Sequence, residues 1–274
     1  MDSEQPTDGS RDSPAAADMS GHDAADASAT TDHGADWRLR LRHGGEVVLV
    51  MVGAYLFAGV SVSALTPALE TLGVISADGN DARLARTTIQ FLAIGVVSLW
   101  FADVVDTDRL IPYFIPNARI LGVIAGGTVA LLTTNIGVNQ LITRLGFESG
   151  ENVAITAGAG DPGYLLAMVV ISVLLVGPAE ELLFRGAIQG RLRESWGPWP
   201  AIFGATVLFG VIHAPAVSGG TGAVIAYIVT AAILGVLLGY LYERTGNIVV
   251  PAAIHGANNA AVFGLLYLGE VGVV

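Results

Sequence analysis

Cysteine and lysine are both absent from the 274 residues. Without cysteine there is no disulfide framework, no thiolate metal site, no cysteine nucleophile and no lipidation through a C-terminal cysteine. Any chemistry falls to Glu, Asp, His, Asn, Ser or Thr. All thirteen basic residues are arginine. With the acidic excess this suggests a salt-adapted cytoplasm, compositional drift being the alternative. Charge of either sign is scarce, at 14% of residues against roughly 25% in soluble domains. Hydrophobic residues make up 53% and mean hydropathy is +0.62, too apolar for a surface that faces water. An ordinary soluble enzyme is excluded. No basic stripe exists to neutralise phosphates, which excludes nucleic acid as a partner.

The net charge of −11 is unevenly placed. Residues 1–36 hold nine Asp or Glu and one Arg, with almost no large apolar side chain, so they bury too little to offset the entropy of ordering and read as a disordered acidic tail. They are not a signal peptide, because the first basic cluster, Arg38, Arg40 and Arg42, comes only after them. Residues 37–274 read as a membrane domain. From Glu46 the chain becomes a series of apolar stretches of about 20 residues, the length a helix needs to cross roughly 30 Å of hydrocarbon. Seven are expected, near 46–68, 87–103, 117–142, 163–192, 199–215, 221–243 and 247–269, with room for an eighth as a broken or re-entrant piece. The stretches lack the polar alternation of a barrel, so the fold class is an all-α polytopic membrane bundle. Seven crossings put eight arginines on one side (38, 40, 42, 109, 119, 191, 193 and 244) and three on the other (83, 86 and 144), which favours a cytoplasmic N-terminus in a cell membrane. Gly122-x-x-x-Gly126, Gly186-x-x-x-Gly190 and Gly235-x-x-x-Gly239 read as close helix packing. Asn135 and Asn139 share a helix face, with interhelical hydrogen bonding expected and cavity lining the alternative.

Ionisable residues inside the spans carry the functional argument. Beyond His43 the body holds only two histidines, His213 and His255, both within apolar stretches. Glu180 and Glu181 lie side by side in ISVLLVGPAEELLFRGAI, where a charge at bilayer depth costs at least ~2.5–3.5 kcal/mol. Arg185, at i+4, can neutralise Glu181. Glu180 projects about 100° away and has no such partner, and Pro178 kinks the helix just before it. Measured from the 194–198 turn, Glu180 lies about 20 Å up one helix and His213 at a similar height on the returning one. From Asn247, His255 comes after ~12 Å and Asn259 after ~18 Å, one turn apart on one face. Four polar side chains from three helices thus reach one layer. Taken singly, each has a plain structural role: His213 ends its helix before Pro215, His255 bonds across helices, and Asn258 and Asn259 act as packing glue.

A buried carboxylate helped by an imidazole can deprotonate water, and an imidazole N–H with an amide NH2 one turn away can hold an oxyanion. Peptide hydrolysis fits this set. The same atoms also suit zinc, with Glu180, His213 and His255 as ligands and an open position for water, although no H-E-x-x-H spacing is present.

The motifs Glu180-Glu181-x-x-x-Arg185, Phe209-x-x-x-His213 and His255-x-x-x-Asn259, in that order on successive apolar segments, resemble those of the CAAX protease and bacteriocin-processing (CPBP, or Abi) intramembrane proteases, which include the type II CAAX prenyl endopeptidases. The resemblance covers about 163–269; residues 46–142 and the tail carry none of its motifs. It implies that Glu180 activates water with His213, that His255 and Asn259 stabilise the oxyanion, that Glu181 and Arg185 shape the site and that Phe209 walls the pocket. Its members are commonly described as metalloproteases, while a metal-free glutamate mechanism is argued for the prenyl proteases; the latter is the expectation here, with zinc as the other cofactor reading. The implied substrate is a membrane-associated peptide or lipidated protein. Two other classes compete: a non-catalytic membrane scaffold or immunity-type protein, and a transporter using a midplane Glu–His pair for proton coupling. The absence of an evident repeat between the halves counts against the transporter.

Overall fold

The structure, a computed structural model, describes residues 22–105, 111–148 and 150–273, with side chains from residue 36. The chain divides into two units, Met1–Leu39 and Arg40–Val274. In the first, the tail expected to be disordered lies outside the described residues up to position 21, and from His22 the backbone belongs to helix α1 (His22–Thr71).

The second unit is a helix bundle. After α1 come α2 (Asn80–Val104), α3 (Ala118–Arg144), a single-turn α4 (Val153–Thr156), the long α5 (Pro162–Trp196), α6 (Pro198–Ile212), α7 (Thr221–Thr245) and α8 (Val249–Glu270). Among the described residues seven helices are long and apolar enough to cross a membrane, α1 counting from Asp36. This matches the number and order expected. The only strands among the described residues are β1 (Glu151–Asn152) and β2 (Val217–Ser218), an antiparallel pair joining the loop after α3 to the loop after α6.

Helix α1 shows how such a bundle is built. Val47, Val50, Ala54 and Ala58 recur at a spacing of three and four and are buried, so they form one stripe packed on the core. Leu49, Leu56 and Val60 on the opposite side are 66–72% exposed. An apolar coat of this size is excluded from water, and it makes the molecule an integral membrane protein. The core joins that stripe to Ile94 of α2, Phe184 and Ile188 of α5 and Phe209 of α6. A second cluster joins Leu131, Leu238, Val250 and Ile254 from α3, α7 and α8.

Glycines set the closest approaches. A Cβ on Gly239 would lie 2.8 Å from Gln189 Oε1, and one on Gly235 3.3 Å from Phe209, so this pair packs as its spacing suggests. Gly122 and Gly126 have no neighbour within 4 Å, which corrects the packing role expected of them: spacing alone does not show which way a glycine face points.

At the arginine-rich end, Arg191 bridges Glu46 of α1 and Glu194, while Arg193 pairs with Glu243 of α7. Helix α7 ends at Gly246, whose φ of 56° is the left-handed cap. Buried Asn247 follows; its side chain accepts from the backbone N–H of Phe114 and Val249 and donates to the Phe114 carbonyl. These bonds fix where α8 starts, and so where His255 comes to lie.

Candidate active site

The two glutamates occupy a five-residue α-helical piece of α5, Gly177–Glu181, between π-helical stretches Ser172–Val176 and Leu182–Gln189. Pro178 supplies the local cause. It has no N–H to give to the preceding turn and its ring crowds that turn's carbonyl, so the helix widens. Next to it, Gly177 lets α8 press against the backbone: a Cβ there would lie 2.6 Å from the Gly256 nitrogen, and one on Gly256 would lie 2.9 Å from the Ser172 carbonyl oxygen. His255, immediately before Gly256, is thereby set beside both glutamates.

Glu180 is the hub. Its Oε2 lies 3.4 Å from His255 Nε2 and its Oε1 lies 3.9 Å from His213 Nε2. His213 caps the end of α6, and its Nδ1 is 2.6 Å from the Phe209 carbonyl oxygen. A carbonyl only accepts, so Nδ1 carries the hydrogen, and whenever the ring is neutral its Nε2 turns a lone pair toward Glu180. Two acceptors at 3.9 Å do not bond each other; they suit a water that donates one hydrogen to each. His255 Nδ1 is 2.9 Å from Glu181 Oε1, so this imidazole has a carboxylate at each nitrogen.

Glu181 and Arg185 are fully buried. Arg185 Nε approaches Glu181 Oε2 to 3.0 Å, as their spacing implies. The contact is an ion pair and not an aligned hydrogen bond, since neither atom meets the angular requirement. The guanidinium also lies over the Phe209 ring at 5.1 Å, and that ring meets His213 and His255 edge-on at 4.6 and 5.7 Å. Glu181 and Arg185 thus stand behind His255 and Phe209, away from the cavity wall. The cross-helix bond from Glu181 to His255 is the contact that i, i+4 arithmetic did not reveal.

A cavity of about 670 Å³ reaches Glu180, Phe209, His213, His255, Asn258 and Asn259 together. Asn259 accepts from Asn258 Nδ2 at 3.3 Å, which leaves its own amide hydrogens as donors one turn beyond His255. Asn135 and Asn139 line the same cavity, and the Asn139 amide donates to Asn135 within one helix. Residues outside the motifs complete the wall: Tyr55 on α1, Gln90 on α2, Asn152 on β1 and Tyr227 on α7. The Asn152 amide donates to the Tyr227 hydroxyl at 3.0 Å. In the sequence these look like ordinary interfacial polar groups, so no local signal marks them.

Glu180, His213 and His255 are the zinc candidates. Among the described residues no group of three His, Asp or Glu side chains is gathered as a metal-ligand set.

Residues 162–261 match the family model described as type II CAAX prenyl endopeptidase, Rce1-like. A curated relative described as a candidate membrane peptidase, YdiL of Bacillus subtilis (strain 168), is 30% identical over 146 residues, or 52% of this chain and 54% of that protein. YpbD of the same organism, an uncharacterized protein, is 28% identical over 173 residues, covering 63% of this chain and 81% of that one. The chain thus spans about half the length of YdiL. No solved structure matches the chain at a significant level. The three motifs all lie within the residues, 162–261, that match this family model.

Proposed function

We propose, from an Rce1-like domain in the last four spans, that this chain is a membrane-embedded endopeptidase that hydrolyses a peptide bond of a membrane-associated substrate with carboxylate-activated water. The observation that carries the reading is the convergence of both imidazole Nε2 atoms on the Glu180 carboxylate inside one cavity. A water donating to Glu180 Oε1 and His213 Nε2 keeps an oxygen lone pair for the carbonyl carbon. As the C–O bond forms, its proton passes to Glu180, and the carbonyl π electrons move onto oxygen. Donors for that oxyanion are the Asn259 amide and the Nε2–H of His255 as an imidazolium, whose Nδ1–H is held by Glu181. Collapse of the tetrahedral intermediate breaks the C–N bond, and the proton held by Glu180 goes to the leaving amine. Phe209, against both imidazoles and Arg185, keeps bulk water from the ion pair.

The test is cleavage of a membrane-anchored peptide library by purified protein. Glu180→Ala is expected to abolish cleavage while the protein still inserts, and a metal chelator is expected to leave the wild type active. Loss of activity with chelator would restore zinc as a cofactor. Unchanged cleavage in the variant would remove Glu180 from the chemistry.

A further inference from the structure

The cavity is not centred between the two ends of the bundle. At one end its wall is the loop after α3, including Gly150, Asn152 and Thr156, with Ala216 just past α6. Down from that end, Asn139 sits about 8 Å below the end of α3, Gln90 about 15 Å from the start of α2 and Val262 about 12 Å from the end of α8. The opposite end contributes nothing from the first turns of α3 or α6 or from the last turns of α2, α5 or α7. There the salt bridges of Arg191 and Arg193 close the bundle.

The same end-to-end axis sorts charge. Arg40, Arg42, Arg119, Arg191, Arg193 and Arg244 lie at the closed end, and Arg83, Arg86 and Arg144 at the end with the cavity mouth. Arginine near span ends is retained on the cytoplasmic side. We infer that the cavity opens to the extracytoplasmic face, so that its substrate is a membrane-anchored peptide presenting the scissile bond on that side, and not a C-terminal segment offered from the cytoplasm. The substrate assignment rests on the peptidase reading; the direction of opening does not.

The absence of native cysteine makes the test direct. Single variants Thr156→Cys at the mouth and Ala118→Cys at the closed end, both exposed positions, are expressed as full chains in cells and treated with a membrane-impermeant maleimide. Thr156→Cys is expected to label in intact cells, and Ala118→Cys only after permeabilisation. Glu151→Cys serves as a second mouth position if the first variant does not insert, and labelling in detergent verifies that each thiol reacts. The reverse pattern, or labelling of both ends in intact cells, overturns the inference. Reporter peptides with the cleavable segment on one or the other side of the membrane test the substrate separately: extracytoplasmic labelling with no cleavage of either reporter rejects the peptidase reading, and cleavage of the cytoplasmic reporter alone rejects the substrate assignment.

Discussion

Arg185 is a full positive charge with no exposed surface, offset by Glu181 and the face of Phe209. Removing one partner of such a pair leaves the other charge buried and alone. Arg185→Leu is therefore expected to destabilise the protein by about 3–5 kcal/mol, read as a fall in the thermal midpoint in detergent, and replacing Glu181 by Leu as well should recover part of it. Glu181 acts on the reaction through His255. Glu181→Gln keeps the shape and removes the charge that holds Nδ1–H, so kcat should fall by roughly 10²-fold with KM held, and the pH profile of kcat should move. An unchanged profile would reduce Glu181 to a packing residue. Glu180 and Arg185 drew attention in the sequence because charge inside an apolar run is costly; the Glu181–His255 bond did not, because it joins residues 74 apart.

Helix α5 departs from regular geometry where the chemistry sits, between two π-helical stretches, and Gly177 against Gly256 is the contact that seats α8. Gly177→Ala is expected to force the two helices apart at a cost of about 1–3 kcal/mol and to lower cleavage, since the Glu180–His255 distance depends on that approach. Gly122→Ala and Gly126→Ala, which meet nothing within 4 Å, should stay within about 0.5 kcal/mol of the parent. Both sets look alike as small residues in an apolar run, and only the assembled bundle separates them. At the start of α5, Asp161 accepts from the Asn80 side chain and the Tyr164 N–H, and these bonds hold its carboxyl below the usual range. A group depressed on folding stabilises fully above its unfolded pKa. That contribution is lost as pH falls through the lower folded value, so the thermal midpoint of the parent should drop in acid while that of Asp161→Asn varies less.

Across the whole molecule the cavity draws on every long helix, including α1, α2 and α3, which lie outside the segment that matches the family model. Asn139→Trp should fill part of the space and reduce cleavage without unfolding the protein, as monitored by its detergent-solubilised elution volume and thermal midpoint. Normal turnover would place the substrate path elsewhere. Hydropathy and chain length determined the spans, because a helix must satisfy its own backbone and match the thickness of hydrocarbon. Spacing along single helices likewise determined that Glu181 meets Arg185 and that His255 and Asn259 share a face. Only tertiary structure decided that His255 is held by Glu181, that Asn135 and Asn139 look into the cavity, and that Tyr55, Gln90, Asn152 and Tyr227 help to enclose it. Those contacts depend on how the helices rotate and cross, and a repeat along one chain says nothing about the angle at which another will meet it.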